Sequence, residues 1–144
     1  MDDDSVNSKI AIIAKRRLPM WTWVCYDDGE DVDLWSRWYQ GVDDDVRGIH
    51  DVRIDYLEPR PAAQWREPYT KRLNHGIVEI RITGPVQHRL LGFFGTTRAQ
   101  FTIVLSCTHK MNVYSPKDAK RTAAKRKMAI ESGVANVRIC KRPG

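Results

Sequence analysis

The stretch from Ile77 to Pro116 constrains the fold most, because it reads as three successive strands joined by two short turns. Between Ile77 and Thr83 the side chains alternate: Val78, Ile80 and Ile82 share one face, and Ile77, Glu79, Arg81 and Thr83 share the other. A period of two with β-branched residues is the pattern of a half-buried strand. Thr83-Gly84-Pro85 signals a turn, since glycine frees φ and proline fixes it. A second strand runs from His88 to Phe94, and Gly95-Thr96-Thr97 turns the chain again. From Phe101 to Cys107 the chain is almost continuously apolar, as expected of a strand covered on both faces. Connections this short make an antiparallel meander, and helices before and after it give an α+β fold.

The flanks supply those helices. Trp21 to Tyr26 reads as a first strand with Trp21 and Trp23 on one face, ended by Asp27-Asp28-Gly29. Leu34, Trp35, Trp38 and Tyr39 then recur at helical spacing, with Asp31 or Asp33 as cap and Gly41 as break. Asp43-Asp44-Asp45 opens a second helix, where carboxylates suit the positive end of the dipole. Val42, Val46, Ile49 and Tyr56 carry its stripe toward Pro59, and a loop returns the chain to the meander by Tyr69. A catalytic or metal-binding triplet is the sharper reading of those aspartates, weighed against the fact that helix starts are routinely acidic. Beyond the meander, Ser115-Pro116-Lys117-Asp118 has the form of a capping serine, a proline at the first helical position and an acid three residues after the cap. That predicts a helix to about Ser132, stopped by Gly133, with Ala119, Ala123 and Ile130 inward and Lys117, Arg121 and Lys125 in an outward row. Residues 21–132 form the domain, 1–20 an N-terminal extension and 133–144 a basic tail with a short strand at Val137 to Cys140.

The net charge of +6 hides an asymmetry. Residues 1–60 hold 14 acidic and 8 basic side chains, whereas residues 61–144 hold 16 basic and 4 acidic, a net +12. Such a half suggests a polyanionic partner, nucleic acid ahead of membrane, because no helix with large apolar residues accompanies the charge; a solvated basic surface is the plainer alternative. The three cysteines, Cys25, Cys107 and Cys140, are widely spaced with no CxxC pair and read as ordinary residues of a reducing cytoplasm. No HExxH, P-loop, GxSxG or dinucleotide fingerprint occurs, so no metal or cofactor is expected. The longest apolar run of the acidic start, Ile10 to Ala14, is too short for a signal or a membrane span, and a soluble cytoplasmic protein is expected.

Four segments in order carry a family resemblance. Leu73-Asn74-His75-Gly76 precedes the Glu79-Ile80-Arg81 strand, His88-Arg89-Leu90-Leu91-Gly92-Phe93-Phe94 follows, then Phe101 to Lys110 and Ser115-Pro116-Lys117, then an Ala- and Arg-rich helix with Ala119 and Arg126. From about Trp21 to Ser132 the chain resembles the RelE/HigB-like toxins of bacterial toxin–antitoxin systems, especially the phage-associated HigB group. The resemblance implies an endoribonuclease that cuts mRNA on the ribosome and is silenced by a helix-turn-helix antitoxin, as a homodimer or a toxin–antitoxin hetero-oligomer.

Such a reaction needs a group that helps the 2′-OH lose its proton, stabilisation of the charge on phosphorus, and a proton for the leaving 5′-oxygen. The family does this without metal, using Arg, Lys, His and Tyr. Carried onto this chain, the catalytic set is Arg81, Arg89, His109 and Lys110, and the RNA-binding set is Lys71, Arg98, Tyr114, Lys117, Arg121 and Lys125. Each has a plainer alternative: a Glu79–Arg81 pair, a surface histidine at 109, a tyrosine packed under the last helix, a solvated basic face. The chain departs from the family pattern at Met111 and Tyr114, where lysines are frequent, and at Ser106, where the HigB group often has histidine. These departures keep open two other readings on the same fold: a ParE-like inhibitor of DNA gyrase, or a non-catalytic binding module.

Overall fold

The computed structural model describes residues 21–95 and 99–144. The N-terminal extension expected over 1–20 and the RNA-binding candidate Arg98 lie outside the described residues. The described residues have an α+β architecture, with three α-helices and a seven-stranded sheet among them. The elements are β1 (Thr22–Tyr26), α1 (Leu34–Gly41), α2 (Asp44–Leu57), β2 (Thr70–Arg72), β3 (Val78–Thr83), β4 (Gln87–Phe94), β5 (Gln100–Lys110), β6 (Val113–Ser115), α3 (Ala119–Glu131) and β7 (Val137–Ile139).

The meander is there as expected: β3, β4 and β5 pair antiparallel in sequence order. The sheet is wider than the meander and its first strand. Its order is β2-β3-β4-β5-β1-β7, with β1 parallel to β5 and β6 pairing the far end of β5. The loop expected from Pro59 ends at Tyr69, and the next three residues, Thr70–Arg72, pair with β3 as an edge strand that the sequence pattern does not announce. Three residues show no periodicity of their own; the partner strand makes β2 a strand.

The helix starts show how local chemistry sets boundaries. Asp33 accepts a hydrogen bond from the Ser36 amide at 2.9 Å, which makes it, of the two candidates Asp31 and Asp33, the cap of α1. Asp43, first of the acidic triplet at the start of α2, accepts from the Val46 amide at 3.0 Å and caps that helix. The third helix departs from expectation. It begins at Ala119 behind Asp118, whose side chain makes no capping bond, and Ser115 belongs to β6, paired with Thr108. A residue before proline is driven toward extended backbone, so Ser115 completes a strand instead of capping a helix. The exit is as read: Gly133 has φ +80°, and the Val134 and Gly133 amides return to Ala129 O and Ile130 O at 2.9 and 3.1 Å, a Schellman stop.

The sheet separates two apolar layers. On one face α1 and α2 bury Trp35, Val46, Ile54 and Leu57 against Trp23, Ile80, Leu90, Phe101 and Ile103. Trp65 joins them from the loop, with its ring 5.0 Å from Phe101 and 5.2 Å from Trp21. On the other face Ala119 and Ala123 of α3, both fully buried, meet Ile77, Leu91, Phe93 and Val104. Alanines let the helix approach the sheet closely, but α3 covers only part of this face. A bulge between Leu91 and Gly92 of β4 shifts the register against β5, where Leu91 faces Leu105 and Gly92 faces Ile103. The uncovered end of the face holds polar groups.

The candidate site around Glu79

Strand register assembles the polar end. Arg81 of β3 lies opposite Arg89 of β4, Arg89 lies opposite Cys107 of β5, and His109 lies opposite Tyr114 of β6. Partners across a sheet present side chains to the same face, so Glu79, Arg81, Arg89, Cys107, His109 and Tyr114 share the α3 side. The β5–β6 connection is Met111-Asn112, both at positive φ (51° and 64°), the two-residue hairpin geometry that suits asparagine. It puts Met111 at the tip, 86% exposed, leaves Lys110 exposed at the strand end and returns Tyr114 beside His109, ring centroids 4.7 Å apart.

Glu79 is the hub. It is 1% exposed. Its Oε2 accepts from Arg81 Nε at 2.9 Å, and its Oε1 accepts from the Tyr114 hydroxyl at 2.5 Å and lies 3.6 Å from Arg89 Nε. Arg81 also reaches Glu67 at 3.5 Å, and its side chain is 22% exposed. Arg89 is more enclosed, 6% exposed, its terminal nitrogens spent on His88 O (3.0 Å) and Gln87 Oε1 (3.3 Å). Its Nε is buried without a hydrogen-bond partner among the described residues. Glu79 thus faces both guanidiniums, and Glu67 gives Arg81 a second carboxylate at the exposed edge.

The titrations register that field. Burial, and then the hydrogen bond that Tyr114 donates to Glu79, raise the phenol above its ordinary range. The Cys107 thiol is pushed up to about 12 by burial and the Glu79 charge. Burial lowers the Arg89 guanidinium, against the pull of Glu79. Tyr114 is therefore a protonated hydroxyl at neutral pH, fixed as a donor to Glu79.

A basic rim runs from this hub. Lys120 Nζ stands 5.4 Å from the Tyr114 ring centroid. Lys120 and Arg121 line a cavity of about 240 Å3 with Leu73, Asn74, His75, Ile77 and Ala124. Lys117 is exposed between β6 and α3, so the row read as one helix face loses its first member to the connection. Lys125 lies one turn beyond Arg121, exposed. Lys71 pairs with Glu79 across the β2–β3 ladder and is exposed on the sheet edge.

The structure thus brings Arg81, Arg89, His109 and Tyr114 onto one face, with Lys71 across the ladder from Glu79, Lys110 at the strand end, and Lys117, Arg121 and Lys125 exposed at and beyond the start of α3. The sequence pattern gives Glu79 no role beyond pairing Arg81, and its place as the hub is visible only in the structure. One signal existed for Glu79: it is one of only two acids among residues 61–109. Ser106 pairs with Leu90, which packs on the α1/α2 side, so a histidine there would face away from the hub.

Residues 37–128 match the family model described as phage derived protein Gp49-like (DUF891), 92 of the 144 residues, and the chain belongs to that family. It is a RelE/HigB-type toxin family of toxin–antitoxin systems, which implies an antitoxin as partner. The match runs from α1 into α3 and includes every residue of the hub. Neither a curated protein nor a solved structure matches the chain significantly. Among the described residues no helix is long and apolar enough to cross a membrane.

Proposed function

We propose that the chain is a toxin of RelE-like fold, close to the HigB group, that cleaves ribosome-bound mRNA without a metal and is held inactive by a helix-turn-helix antitoxin. The supporting observation is the convergence of Arg81, Arg89, His109 and Tyr114 on one sheet face around Glu79, beside the basic start of α3. In this reading Arg81, the more exposed arginine, holds the scissile phosphate and stabilises the charge that builds on it. Arg89 supports it from beneath. His109 is the group that passes a proton between the attacking 2′-OH and the departing 5′-oxygen. Lys110, Lys117, Arg121, Lys125, Lys71 and Arg98 hold the RNA backbone by charge, and Tyr114 stacks on a base. Glu79 touches no substrate; it positions the arginines and the tyrosine.

A second reading has its own observation. Both arginines already bond Glu79 or the backbone, and Arg89 is nearly enclosed. A hub whose arginines are already engaged and largely enclosed suits a binding module, or a gyrase-directed toxin, in which the cluster only braces the sheet.

Induced expression in a bacterial host separates the readings. Arrest in which protein synthesis falls first supports the nuclease; arrest in which DNA supercoiling and replication fall first supports gyrase; unimpaired growth with folded protein supports the binding module.

A further inference from the structure

On the opposite face from Glu79, three metal-ligating side chains from distant parts of the chain converge. Cys25 is in the middle of β1, Asp33 caps α1, and Cys140 follows β7. Their exposures are 0, 9 and 4%, and their ligand atoms all lie within 4.8 Å of one another. The apolar layer of Trp23, Trp35 and Ile103 surrounds them.

We propose that Cys25, Asp33 and Cys140 form a binding site for a thiophilic divalent cation, Zn2+ being the fitting chemistry. Two sulfurs and one carboxylate oxygen are the donor types zinc selects. The spacing fits as well. A tetrahedral ion with ordinary zinc–sulfur and zinc–oxygen bonds sets its sulfur and oxygen about 3.6 Å apart, and Cys25 Sγ stands 3.7 Å from Asp33 Oδ1. The charge also calls for a cation: among the described residues no ion pair reaches the buried Asp33 carboxylate, whose partners are the Ser36 amide and hydroxyl at 2.9 Å and the Cys25 thiol. Binding displaces the two thiol protons to solvent and leaves one position of the tetrahedron for water or another donor.

The site has a door. Cys140 is held to β1 by the hydrogen bond its backbone N–H donates to Trp23 O at 3.2 Å, and the chain then runs to Arg142, which grips Asp55 and Glu58 of the α2 end at 2.6 and 3.1 Å. Lifting this short segment opens the cluster; a bound ion staples it to β1 and the α1 cap. The role is structural and separate from the metal-free chemistry proposed for the other face.

The test uses Co2+ as a spectroscopic probe on the reduced, metal-stripped full chain. One equivalent should give sulfur-to-cobalt charge-transfer absorption and visible ligand-field bands, both abolished by Zn2+, and native mass spectrometry should show one zinc per chain. Cys25→Ser and Cys140→Ser should lose the bands with circular dichroism unchanged. Asp33→Asn, which keeps a capping oxygen, should weaken binding without unfolding α1. Cys107→Ser, whose thiol sits on the Glu79 face, should bind as the wild type does. No bands from the folded wild type overturns the proposal, as do bands that survive both cysteine variants, or bands that depend on Cys107.

Discussion

Tyr114 of β6 donates its hydroxyl to Glu79 of β3 at 2.5 Å, joining the last hairpin to a carboxylate three strands away. This bond fixes where the aromatic ring sits relative to the arginines, and it is the contact that closes the hub.

Tyr114→Phe leaves Glu79 buried with one partner fewer, which should cost about 1–3 kcal/mol by denaturant titration. It should also change the alkaline limb. Because the folded-state phenol is raised, Tyr114 favours the folded state below the unfolded value near pH ~10 and loses that contribution as pH rises toward its folded value. Wild-type stability should fall above pH ~10 more steeply than that of the phenylalanine variant.

Arg81→Ala should abolish toxicity while the domain stays folded, since Glu79 keeps Tyr114 and Arg89 as neighbours. Arg81→Lys should retain charge but lose the Nε bond, and restore toxicity only in part. Growth of cells expressing either variant, with circular dichroism of the purified protein, checks both. Full toxicity in a folded Arg81→Ala variant removes the phosphate role.

His50 is a neutral buried group: Trp35 Nε1 donates to its Nε2 at 3.0 Å, and its Nδ1 meets Asp51 at 2.9 Å. Burial lowers its pKa, against the pull of Asp51. The sign is the reverse of Tyr114. His50 stabilises the fold above the unfolded value near pH ~6.5, and that contribution is lost as pH falls toward the lower folded value. The Tm of the wild type should drop between neutral and mildly acid pH, and His50→Gln should flatten that slope.

Arg121→Ala and Lys125→Ala should weaken RNA binding through charge alone. If each side chain neutralises one phosphate of a single strand, each removal should flatten the plot of log affinity against log salt by about 0.7. Fluorescence anisotropy with an unstructured oligoribonucleotide over a salt series measures this, and unchanged slopes would place both residues off the RNA path.

Legibility in sequence followed the range of the interactions. Asp33 and Asp43 are readable as caps because capping is decided within three residues. The meander is readable because alternation and turn residues are local as well. The α3 start misled because serine and proline form a helix-start pattern, while the competing pairing of Ser115 with Thr108 is invisible in the segment itself. β2 is a strand only because β3 lies beside it. Alternation assigns Glu79 to a polar face, yet Tyr114 and the strand arginines enclose that end of the face, so its burial depends on chain that arrives later. Cys25 and Cys140 read as ordinary cysteines for the same reason: only the β1–β7 pairing brings them together.

The most direct test of the central claim is cleavage itself. Purified protein incubated with a defined mRNA, with and without translating ribosomes, and followed by mapping of new 5′ ends, should give discrete cuts that require ribosomes and vanish in Arg81→Ala. Cuts without ribosomes would contradict the ribosome requirement. No cuts in either tube, from folded protein, would contradict the nuclease and leave the hub as a brace for a binding surface.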